Sequence, residues 1–180
     1  MTYYKATRPD GKSFHDGTTT WTVGKITRLP KSEQRTTLCE AGVLHASTEP
    51  GESLVGGSWP CRLFEVEPVG ELITEAEHPY KVGAHAWRVV REIEAWRALG
   101  PNGEAVAALI ERAATITPEQ AERLRAARGA ARGAAAGAAW GAARSAAPDA
   151  VVALVVRDLI SQKQFQVLYG PWASVMEGEG

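Results

Sequence analysis

A chain of 180 residues, 44% hydrophobic and 23% charged, lies away from the disordered corner of composition space and is long enough to bury a core without metal or disulfide staples. Its formal net charge of −1 excludes a strong global attraction to nucleic acid or anionic membrane, so such binding would have to rest on a local patch. No run reaches membrane-spanning length, and the opening MTYYKATRPDGK has no apolar stretch of signal-peptide length. The expectation is a cytoplasmic protein with no membrane partner, in which Cys39 and Cys61 are free thiols and small buried hydrophobes.

The chain divides by period into a β-rich domain, 1–93, and a helical segment, 94–180, which together predict an α+β fold with a mostly antiparallel sheet. TYYKAT (2–7) is a short aromatic and β-branched run closed by the turn chemistry of RPDGK. His15-Asp16-Gly17 offers a second tight turn. TTLC and GVLHAST flank Glu40-Ala41-Gly42, the spacing of a hairpin whose glycine takes a positive φ. CRLFEVEPVGELI (61–73) alternates before Pro68, with Phe64 and Val66 on one face and Glu65 and Glu67 on the other. HAWRVVREI (85–93) alternates too, which predicts Trp87, Val89 and Ile93 together and Arg88 with Glu92 opposite. Trp21, Trp59, Trp87 and Trp96 read as packing residues.

Beyond residue 94 the spacing becomes helical. EAVAALIERAATI follows the break at GPNG, and TPEQ (117–120) has the Thr cap, the first-position Pro and the Gln of a capping box. A further helix is expected from Pro148-Asp149 through AVVALVV (150–156). SQKQ (161–164) starts the last, which Gly170-Pro171 should stop. Between them lies the repeat 128–147, with Gly129, Gly133, Gly137 and Gly141 four residues apart. Its alanines favour a helix whose small-residue stripe would let another backbone approach and make an oligomer; the rival reading is a flexible linker. Arg123, Arg125, Arg128, Arg132 and Arg144 form a basic window that would meet a nucleic acid or host protein, or serve as a solvated face.

The residues that could carry chemistry lie on the strands. Val43, His45 and Ser47 share one face of their strand, the last two about 7 Å apart. Ser47 with His45 suggests a nucleophile and base, but neighbours two apart on one strand rarely reach each other, and no G-x-S-x-G elbow is present. Paired carboxylates raise glycoside hydrolysis, without the aromatic cleft that would hold a sugar. No P-loop and no G-x-G-x-x-G occurs. No metal site is expected, since Cys39 and His45 with His78 or His85 make a weak ligand set. The plainer meanings are a His45 that caps a strand end on a backbone carbonyl, and glutamates on the wet face of a half-buried sheet.

YYKATR (3–8), HAST (45–48) and EVE (65–67) resemble, in that order, the elements of ADP-ribosyltransferases: a basic first strand with aromatics, a Ser-Thr element and a late Glu-x-Glu. In those enzymes a carboxylate beside the ribose stabilises an oxocarbenium-like state as nicotinamide leaves. The resemblance implies NAD as substrate, Glu67 as that carboxylate, Glu65 as the group orienting the acceptor and His45 as a further catalytic candidate. It gives Tyr4, Lys5, Arg8, Ser47 and Thr48 to the holding of NAD, with Lys5 or Arg8 standing where the family has arginine. A second pattern, C-E-x-G-x-H-A with Pro50, FEVEPVGEL and K-V-G…V-V-R-E-I over 3–93, resembles an uncharacterised family of phage and prophage proteins. It implies a phage-encoded origin and action in the host cytoplasm. The expected function is therefore an NAD-cleaving transferase acting on a nucleic acid or protein. The alternatives are a non-catalytic protein that sequesters a nucleotide or host factor, and a structural oligomerisation module.

Overall fold

The computed structural model describes residues 1–124, 126, 146–155 and 157–178, and it is α+β. Two compact units divide the chain, Met1–Gly100 and Pro101–Gly180. The first contains a six-stranded antiparallel sheet: β1 (Tyr3–Thr7), β2 (Ile26–Arg28), β3 (Leu44–Ser47), β4 (Arg62–Pro68), β5 (Lys81–Ala84) and β6 (Ala86–Ile93). Their order across the sheet is β2-β6-β4-β1-β3-β5.

Both faces of this sheet are covered. On one, Tyr3, Trp21, Phe64, Val66, Trp87 and Val89 belong to a cluster of buried side chains, with Tyr3 meeting Trp87 edge to face at 5.5 Å. On the other, Ala6, Cys61, Leu63 and Ala98 are buried, with Tyr4, Trp59 and Ile93 packed around them. Ala98 comes from the 3-10 turn Ala95–Leu99, so this unit continues past the sheet's last strand to Gly100. Covering on two sides explains why Leu63 and Phe64, adjacent in sequence, are both fully buried.

Ile93 does not share the face of Trp87 and Val89, as plain alternation had it. The ladder between β4 and β6 pairs Glu65 with Arg91 and Val66 with Val89, so Val90 is an extra residue in β6. One inserted residue reverses the facing of everything beyond it. Trp87 and Val89 enter the first cluster and Ile93 the second; Arg88 pairs with Glu67 while Glu92 pairs with Phe64.

The expected hairpin around Glu40-Ala41-Gly42 does not form. TTLC lies in a loop, and β3 pairs instead with β1 and β5. Gly42 does take a positive φ of 101°, and a Cβ there would meet the Glu33 carbonyl oxygen and the Arg35 side chain. Cys39 is exposed rather than buried; Cys61 is buried.

In the second unit the helices are α1 (Gly103–Ala113), α2 (118–124), α3 (Ala146–Val155) and α4 (Gln162–Met176). Both capping boxes form. Gln120 N–H donates to Thr117 Oγ1 at 3.2 Å and Thr117 N–H to Gln120 Oε1 at 3.0 Å; Ser161 and Gln164 make the same exchange at the start of α4. Gly170-Pro171 does not stop α4, which runs on to Met176 with Pro171, Trp172, Val175 and Met176 buried. Packing of that turn outweighs the hydrogen bond that proline removes. The repeat's Gly129, Gly133, Gly137 and Gly141, and with them Arg125, Arg128, Arg132 and Arg144, lie outside the described residues. Among the described residues no helix is long and apolar enough to cross a membrane.

Candidate functional site

β1 and β3 share a single register pair, Tyr4 with Ser47. A cavity of about 310 Å³ opens at that junction. Tyr4 and Lys5 of β1 line it together with His45, Ala46 and Ser47 of β3 and Lys81 of β5. The 3-10 turn Gly51–Leu54 contributes Glu52 and Ser53, and the loop before β5 contributes Glu77, His78 and Tyr80.

Lys5 is half-buried, with its Nζ 5.1 Å from the centroid of the Trp21 ring. Loss of hydration lowers its pKa from 10.5 to about 8; the Asp16 carboxylate pulls against this and the Lys81 ammonium adds to it. No carboxylate among the described residues lies within ion-pair distance of it.

His45 is held by its backbone neighbours. Its Nε2–H donates to the Leu38 carbonyl oxygen, which fixes the ring and leaves Nδ1 as the acceptor. Burial holds its pKa below the ordinary histidine value, against the pull of that hydrogen bond, and Lys81, Lys5 and His15 push it further down. The histidine thus bonds a backbone carbonyl, as the plainer reading had it, but that carbonyl belongs to a turn and not to a strand end. Ser47 is buried and its register partner on β5 is Lys81.

The remaining candidates stand apart. Register and alternation put Glu65 and Glu67 on the same sheet face as Tyr4, Ser47 and His45. Neither carboxylate, however, is among the residues lining the cavity. Glu65 makes a two-pronged pair with Arg91, at 2.7 Å to each oxygen, and that guanidinium lowers its pKa. Glu67 is exposed opposite Arg88. Arg8 is exposed and 3.8 Å from Asp10. Thr48 lies just past β3, where its N–H donates to the Tyr80 carbonyl at 2.9 Å.

The structure therefore gathers Tyr4, Lys5, His45 and Ser47, and leaves Arg8, Thr48, Glu65 and Glu67 outside. It adds Glu52, Ser53, Glu77, His78, Tyr80 and Lys81, which the sequence reading did not single out as pocket residues. The available signal was His78-Pro79-Tyr80-Lys81, a dense polar and aromatic run immediately before a strand. Comparisons of the chain with protein-family models, with curated proteins and with solved structures return no match.

Proposed function

We propose that this chain binds a small phosphate-bearing ligand of the nucleotide class in the cavity at the β1–β3–β5 junction. The observation that carries this reading is Lys5, a desolvated ammonium lining the cavity and paired to no carboxylate among the described residues, Glu52 and Glu77 of the same lining included. Holding a cation in such a place costs free energy that an incoming anion offsets. Lys81 supplies a second cation and Ser47 a hydroxyl. At about 310 Å³ the cavity is near the lower end of ligand pockets, about 300–1,000 Å³, a size for one nucleotide rather than an entire dinucleotide.

The NAD-cleaving transferase is the second reading of the same cavity, because Glu52 and Glu77 line it and that chemistry needs a carboxylate beside the ribose. In this reading one of them takes the role that the family resemblance gave to Glu67, and the nicotinamide half of NAD occupies the cavity. Titration calorimetry with ADP, NAD and inorganic phosphate, against an uncharged nucleoside, tests binding. Lys5→Met is expected to weaken the phosphate-bearing ligands by about tenfold to a hundredfold, the worth of a charge-assisted hydrogen bond, with the circular dichroism unchanged. Absence of phosphate-dependent binding, or equal binding by the variant, overturns the proposal. Nicotinamide release from NAD that Glu77→Gln or Glu52→Gln abolishes would establish the enzyme.

A further inference from the structure

We infer that Cys39, Glu75 and His78 bind one divalent transition-metal ion of the zinc class. Their ligand atoms, a thiol sulfur, a carboxylate oxygen and an imidazole nitrogen, all lie within 4.8 Å of one another. Cys39 Sγ and His78 Nε2 are 3.3 Å apart. Two tetrahedral ligands at zinc bond lengths of about 2.3 Å for sulfur and about 2.0 Å for nitrogen stand about 3.5 Å from each other. The Cys39–His78 pair is thus already near the edge length of a coordination tetrahedron, and Glu75 has only to close in.

The backbone sets the three in place. Leu38, whose side chain is fully buried, donates its N–H to Glu75 Oε1 at 2.7 Å and accepts from His45 Nε2 at its carbonyl. The residue before Cys39 is therefore held from both sides, and Glu75 keeps Oε2 for an ion. His78 N–H donates to the Glu75 carbonyl at 3.1 Å, a turn that brings side chains three apart to one side. Of the weak set that spacing offered, His45 and His85 are each committed to a backbone carbonyl, of Leu38 and Arg35; Cys39 and His78 are joined instead by Glu75.

Lys81 Nζ lies 3.4 Å from Cys39 Sγ and has to swing aside when that sulfur takes a metal. Its flexible stem lets it turn into the cavity that it also lines. Sulfur ligates as the thiolate, so metal affinity at a site of this composition rises with pH. Three protein ligands leave a coordination position for water or a ligand oxygen, the composition of an open site. The site adjoins the proposed anion cavity, which His78 and Lys81 line and Cys39 and Glu75 do not; its test uses no anion, so the two readings fail separately.

The test is a cobalt(II) titration of the reduced full chain. The expected result is one equivalent bound, a thiolate-to-cobalt charge-transfer band in the near ultraviolet, intense visible bands of a tetrahedral ion, and displacement by zinc. Cys39→Ser should remove the thiolate band. His78→Gln and Glu75→Gln should weaken binding by at least about tenfold, and Glu75→Gln retains an oxygen for the Leu38 N–H, so it keeps the loop. Cys61→Ser, at the buried thiol, should change nothing. A missing thiolate band, one that survives Cys39→Ser, or one that disappears with Cys61→Ser overturns the assignment.

Discussion

Lys5 links pH to folding and, in the proposed function, to anion binding. Its pKa is about 8 in the folded chain against 10.5 for the freely hydrated side chain. Between those values the unfolded chain holds a proton that the folded chain has released. Stability contributed by this residue therefore rises with pH across that window, in the direction set by the excess of protons on the unfolded state. Urea unfolding at about pH 7.5 and about pH 10, roughly the ends of that window, should show a gain in stability that Lys5→Met lacks. The proposed anion binding is expected to run the other way, weakening above about pH 8 as the ammonium is lost. Opposite slopes for stability and affinity, both cancelled by one substitution, are the signature of this residue; parallel slopes would assign them to other groups.

Among elements, α4 shows two local signals with different fates. Its start follows the chemistry of SQKQ, where Ser161 and Gln164 satisfy each other's backbone N–H groups. Ser161→Ala should cost about 0.5–2 kcal/mol in urea unfolding, and no change would mean that packing alone holds the first turn. Its expected end at Gly170-Pro171 is overridden by four buried residues, Pro171, Trp172, Val175 and Met176. In β6 the comparable event is Val90, whose insertion sends Trp87 and Ile93 to opposite faces. A capping box involves atoms three residues apart and can be recognised locally. A bulge depends on the partner strand, which local spacing does not name.

Across the whole molecule, every residue lining the cavity lies within 4–81 and every proposed metal ligand within 39–78, inside the unit Met1–Gly100. Residues 1–100 produced alone should therefore bind the phosphate-bearing ligand with the affinity of the full chain, measured by the same calorimetry. A loss of affinity in a fragment that keeps its sheet spectrum would place a binding determinant in 101–180.

By itself the sequence determined what short-range chemistry determines. The aromatic and β-branched run at 2–7 became β1 and the period-two runs became β4 and β6, and the facing of Phe64 and Val66 against Glu65 and Glu67 follows from the pleat alone. The capping boxes at Thr117 and Ser161 and the positive φ of Gly42 were equally local. Tertiary structure decided which strands are neighbours, and so which side chains meet. With the order β2-β6-β4-β1-β3-β5, Lys5 and His45 come to one cavity, while Glu65 is occupied by Arg91 across the ladder. Cys39 meets His78 across an interval of 39 residues. Alternation tells a side chain which face it takes; register and pairing, which are bought with buried area over the entire sheet, tell it what stands opposite.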